Sequence, residues 1–89
     1  MSVNDQRNIL IEIVKERQRQ DAKWGEQNQD DFVWTAILSE EVGEASQAAL
    51  HDVFGGDHAG TLRTELIHSA AVIVQWIENI DRRQEGTPR

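Results

Sequence analysis

Thr61-Leu-Arg-Thr-Glu-Leu-Ile-His-Ser-Ala-Ala-Val-Ile-Val-Gln-Trp-Ile-Glu-Asn-Ile-Asp-Arg-Arg83 is the stretch that decides the fold. Leu62, Leu66, Ile67, Ala70, Ala71, Val72, Ile73, Val74, Trp76, Ile77 and Ile80 recur at helical spacing and surround most of the circumference. A helix that is apolar nearly all round must be covered nearly all round. Thr61 suits its N-cap, and Arg82 and Arg83 suit the negative end of its dipole. Working back along the chain, a second helical pattern runs from about 32 to 53. Asp30 or Asp31 stands ready to cap it, and Gly55-Gly56 to stop it. A third pattern runs from about 4 to 23, with Ser2 or Asn4 as its cap and Ser2-x-x-Asp5 resembling a capping box.

The fold class is therefore all-α: a three-helix protomer with helices at about 4–23, 32–53 and 61–83, forming one domain over residues 1–89. Two helices from the same chain cannot cover the 61–83 helix. The expectation is a helical bundle completed by homo-oligomerisation, with a monomer carrying an exposed apolar patch as the bland alternative.

Charge narrows the partners. Sixteen acids against nine bases give a net charge of −7, which repels nucleic-acid backbones. The absence of cysteine removes disulfides, thiolate zinc sites and thiol catalysis. The opening MSVNDQRNIL lacks the basic run and apolar core of a signal peptide, and the longest apolar run, Ala70–Val74, is too short to span a membrane. The expected location is the cytoplasm.

The informative polar residues lie on the second helix. On a wheel with Ile37 at zero, Trp34, Ile37, Leu38, Val42, Ala45, Ala48 and Ala49 form one stripe between about 0° and 140°. Glu41 falls inside that stripe at about 40°, Glu44 on its edge at about −20°, and Glu40 just outside at about −60°. Carboxylates at a buried margin must neutralise or find a cation. No Lys or Arg lies between Phe32 and Leu50 to answer them, whereas a divalent metal would. The competing explanation is pairing with Arg17, Lys23 or Arg63 from the other helices. Glu65 and His68 form a second i,i+3 group. Oxygen ligands alone suit Mg²⁺ or Mn²⁺, and an imidazole tilts the set toward Mn²⁺ or a later metal. A solvent-facing or interface histidine is the bland reading of His68.

With Leu10 at zero on the first helix, Ile13, Val14, Arg17, Asp21 and Trp24 lie within about 60°, so the apolar stripe turns polar in its last two turns. Arg17 and Lys23 suit phosphate oxygens, and Trp24 or Trp34 suits stacking on a base. The alternatives are an Arg17–Asp21 ion pair and core tryptophans. His51, Asp52, Asp57 and His58 flank the glycine pair and read best as a polar loop. There is no P-loop, and Ser39, Ser46 and Ser69 have no histidine at motif spacing.

Glu40-Glu41-Val-Gly-Glu44, followed after twenty residues by Glu65-Leu-Ile-His68, resembles the EExxE…ExxD signature of the MazG-like all-α nucleoside triphosphate pyrophosphohydrolases. The segment Arg17-Gln-Arg-Gln-Asp-Ala-Lys-Trp-Gly-Glu26 is similar to the leader of the short phage and bacterial members, and the resemblance spans about residues 15–80. It implies a homo-dimer or dimer of dimers, Mg²⁺ with Mn²⁺ as the alternative, and hydrolysis of an NTP or dNTP to the monophosphate plus pyrophosphate. Carried over by position, Glu41, Glu44 and Glu65 are the metal ligands, with His68 standing where the signature has aspartate. Glu40 matches the first acid and would hold water or support the ligands. A proton acceptor for the attacking water would be Glu44 or Glu40, with Arg17, Lys23 and Trp24 toward the substrate. Two other functions compete with this one. The first is a catalytically impaired oligomeric module that binds nucleotide or a protein partner, because of His68. The second is an acidic protein that mimics nucleic acid.

Overall fold

The computed structural model describes residues 2–56 and 60–85. Among the described residues there are three helices: α1 (Val3–Trp24), α2 (Asp31–Phe54) and α3 (Leu62–Glu85). Each start is capped by a local side chain. Ser2 and Asp5 exchange hydrogen bonds in a reciprocal capping box at α1. Asp30 accepts from Val33 N at 2.9 Å at α2, and Thr61 Oγ1 accepts from Thr64 N at 3.1 Å at α3. Gly55 ends α2 at φ 84°, a left-handed value that a side chain would disfavour. The expected helices are all present, each displaced by one or two residues at its ends. The expected loop residues Asp57 and His58 lie outside the described residues.

α3 is the shared element. Both α1 and α2 pack along it, and among the described residues no α1 Cα comes within 8 Å of an α2 Cα. The outer helices therefore splay and leave a cleft floored by α3. The side of α3 that faces them is unusually polar: Glu65, Ser69, Gln75 and Asn79 are buried there beside Ala71 and Val72. Leu66, Ile73 and Ile77 point outward and are about half exposed. The helix thus turns its polar ridge toward its own protomer and an apolar ridge toward solvent.

The first helix corrects the sequence reading. Leu10, Val14, Asp21 and Trp24, expected on the inward stripe, are exposed. The stripe that meets α3 is instead Ile9, Ile13, Glu16, Arg17 and Gln20. α1 carries apolar residues on two sides, and its phase is set by Arg17, which is buried and clamped to α3 through Glu78. In α2 the expected stripe holds, except that Val42 is exposed.

The α1–α2 linker is fixed by one buried amide. Asn79 Oδ1 accepts from the Trp34 indole at 2.8 Å and from Gln29 N at 2.9 Å. Its Nδ2 donates to Asn28 at 3.0 Å. Arg82 adds a bond to Gln27 O at 2.9 Å. This network pins residues 27–29 over α3, and with them the end of α1.

Candidate metal centre

Three side chains from two helices converge at the deep end of the cleft. Glu41 comes from the inward stripe of α2, and Glu65 and His68 from the first two turns of α3. One ligand atom of each lies within 4.8 Å of the other two. Glu65 Oε2 and Glu41 Oε2 are both buried and lack a hydrogen-bond partner. The Glu65 side chain is only 9% exposed, and a Cβ at position 60 would overlap its Oε1, so Gly60 is what lets that carboxylate lie back against the turn. Buried carboxylate oxygens without partners are costly, on the order of 1–3 kcal/mol each and more when charged. Such oxygens call for a proton, a water or a cation.

The electrostatics agree. Burial holds the Glu41 carboxyl above its ordinary value, and the negative charge of Glu44 adds to the effect. Glu44 is also raised, first because it shares a hydrogen bond with Glu65. It is exposed at the rim and is not among the three converging ligand atoms. Glu40 is exposed on the outer side.

The cations that might have neutralised these acids are engaged elsewhere. Arg17 donates to Glu78 through Nε and Nη2 at 3.1 and 2.6 Å, and to Asp21 at 3.0 Å. Arg63 pairs with Glu12 at 2.8 Å. The Lys23 ammonium sits 4.9 Å from the Trp24 ring centre. Among the described residues, no lysine or arginine makes an ion pair with Glu41, Glu44 or Glu65.

A polar cleft of about 250 Å³ opens from this cluster. Glu16, Arg19, Gln20 and Trp24 of α1 form one wall, and Ile37 and Glu41 of α2 the other. His68, Val72 and Gln75 of α3 form the floor. Of the residues expected to meet substrate, Trp24 lines the cleft and is 62% exposed, whereas Trp34 is fully buried in the core. Lys23 stands over the Trp24 ring and is not among the residues lining the cleft. Arg17 faces α3 rather than the cleft, and its donors are occupied inside the protein.

Glu16 and Arg19 escaped the sequence reading. Glu16 is a nearly buried carboxylate that receives both Arg19 Nε at 2.7 Å and Arg19 Nη2 at 2.6 Å. That fork holds its carboxyl below the ordinary value. The signal was present: Glu16 lies seven residues after Ile9, on the same face, and a wheel centred on Ile9 and Ile13 would have found it.

Compared with family models, curated proteins and solved structures, the chain matches none. Among the described residues, no helix is long and apolar enough to cross a membrane.

Proposed function

We propose that this protein is a metal-dependent nucleotide pyrophosphohydrolase that converts an NTP or dNTP to the monophosphate and pyrophosphate. One observation carries the reading: Glu41 and Glu65, each with a buried carboxylate oxygen that has no hydrogen-bond partner, converge with His68 within 4.8 Å, and no lysine or arginine among the described residues forms an ion pair with either acid. The donor set fits a divalent ion, Mg²⁺ or Mn²⁺. Such an ion, when bound, neutralises triphosphate charge and polarises phosphoryl oxygens. A protein of net charge −7 has particular need of that neutralisation.

The chain's own groups supply the remainder. Glu41, Glu65 and His68 hold the cation. Glu44, with its raised carboxyl at the rim, takes the proton of the attacking water, and Glu40 adds to the negative field around it. The water oxygen bonds to the α-phosphorus while the bond to the bridging oxygen breaks and pyrophosphate leaves. Trp24 offers an exposed indole face in the cleft for the base, and Arg19 brings a guanidinium to the same wall.

The protomer reads as half of a larger bundle. Its radius of gyration is 15.1 Å, against roughly 12 Å for a compact chain of this length. Leu66, Ile73 and Ile77 form an outward apolar ridge on α3. A second copy laid along that ridge completes the bundle, as a dimer or a dimer of dimers.

The test is release of pyrophosphate from a panel of NTPs and dNTPs with Mg²⁺ and then Mn²⁺. Metal-dependent release by the wild type, lost in Glu41→Gln with helicity retained, supports the reading. Full activity in Glu41→Gln overturns the site. Nucleotide binding without turnover, with turnover restored by His68→Asp, makes the protein the impaired module instead.

A further inference from the structure

We propose that the centre selects a first-row transition ion of the Mn²⁺ type over Mg²⁺, and that Glu16 is the positioning residue that makes His68 a ligand. The inference rests on the metal-site reading above but not on the hydrolytic one.

The imidazole of His68 spans two carboxylates from different helices. Its Nδ1 faces Glu65 Oε2 at 3.6 Å, and its Nε2 faces Glu16 Oε2 at 3.9 Å. The first separation is too long for a good hydrogen bond. It is close to the spacing of two ligands on one ion: donors about 2.0–2.2 Å from a shared centre stand roughly 3–3.5 Å apart. Glu65 Oε2 is the buried oxygen without a partner, on a side chain more than nine-tenths buried, and Glu41 Oε2 is the second. The three residues that carry the two unpartnered oxygens and Nδ1 therefore meet at one corner of the fold.

The other ring nitrogen identifies the role of Glu16. A metal-bound histidine nearly always gives its second N–H to a carboxylate or carbonyl, which fixes the tautomer and the ring plane. Glu16 Oε2 faces that nitrogen from across the cleft at 3.9 Å, outside hydrogen-bond reach as the ring stands, and a shift of about 1 Å when the ring takes up an ion would bring it within reach. Its carboxylate is not free to turn away, because Arg19 grips both oxygens and Gln20 donates to Oε2 at 3.3 Å. The line Arg19–Glu16–His68 thus runs from the α1 wall to the cluster.

The donor set then sets the preference. Mg²⁺ is hard, demands oxygen in near-ideal octahedral geometry and gives up water reluctantly. Imidazole suits the first-row transition ions, whose affinity for nitrogen-containing sites rises from Mn²⁺ onward. Two carboxylates and one imidazole favour that class over Mg²⁺. Mn²⁺ is the member of the class that best tolerates the oxygen majority.

The experiment titrates the metal-free protein with Mn²⁺ alone, reading free Mn²⁺ by electron paramagnetic resonance, and then competes bound Mn²⁺ with Mg²⁺. No nucleotide is present. The wild type is expected to bind Mn²⁺ at least about tenfold more tightly than Mg²⁺. Glu16→Gln is expected to weaken Mn²⁺ by about 10- to 100-fold while leaving circular dichroism unchanged. His68→Asp is expected to bring the Mn²⁺-to-Mg²⁺ preference down toward parity. Equal affinity for the two ions in the wild type, or a preference unchanged in His68→Asp, overturns the inference and leaves the metal site standing. Mn²⁺ affinity unchanged in Glu16→Gln overturns the role of Glu16. Absence of binding by either ion overturns the metal site as well, and leaves His68 as a polar neighbour of Glu65 and Glu16.

Discussion

Glu41 carries more of the account than any other side chain. Its folded carboxyl is raised by burial and by Glu44, so the charged form costs stability at neutral pH and the protonated form does not. The contribution of this group to stability is fully present below the unfolded pKa and is lost as pH rises through the higher folded value. Glu41→Gln removes the charge and should raise the melting temperature of the metal-free protein at pH 7–8. That gain should shrink as pH falls through the raised folded value toward the ordinary one, which thermal melts across pH would show. A divalent ion reverses the order, stabilising the wild type by about 2.7 kcal/mol at a hundredfold excess over its dissociation constant and leaving Glu41→Gln unmoved. Glu41 was legible in the sequence because Trp34, Ile37, Ala45 and Ala48 fix the phase of α2 so firmly that an acid inside their stripe stands out. Glu16 was not, because Ile9, Leu10, Ile11, Ile13 and Val14 give α1 two plausible apolar faces. The contact that breaks the tie, Arg17 with Glu78, spans sixty-one residues.

At the scale of the element, α3 sets the geometry by facing its polar ridge inward. Glu65, Ser69, Gln75 and Asn79 lie on one side because each has a task there: proposed ligand, back-bond to Glu65 O, cleft floor and linker clamp. The apolar residues of this helix, taken alone, imply a helix covered all round, whereas four polar residues at helical spacing mark its intramolecular side. Asn79 is the most exposed to test, since it satisfies the Trp34 indole and Gln29 N at once. Asn79→Ala strands the buried indole donor and should cost on the order of 1–3 kcal/mol in a denaturant melt. It should also speed amide exchange at residues 27–29, the segment it pins.

For the whole molecule, the same orientation of α3 joins two properties: the cleft inside the protomer and the apolar ridge outside it. The helices and their caps were readable from local chemistry, because Ser2, Asp30, Thr61 and Gly55 act within a few residues of themselves. The splay of α1 from α2 was not readable, because it depends on which side of α3 each prefers. If the ridge is an interface, Ile73→Asp with Ile77→Asp should convert the assembly to a monomer by light scattering, with the metal cluster still able to bind. A wild type that is monomeric at every concentration would remove the oligomer from the account and leave the site. The claim on which everything else depends is that the facing carboxylates of α2 and α3 exist to hold a cation. Crystals soaked in Mn²⁺ and measured at the manganese edge test it most directly. The account predicts one anomalous peak bounded by Glu41, Glu65 and His68. Carboxylates turned to solvent with no peak between them, or a peak only elsewhere on the surface, would contradict it.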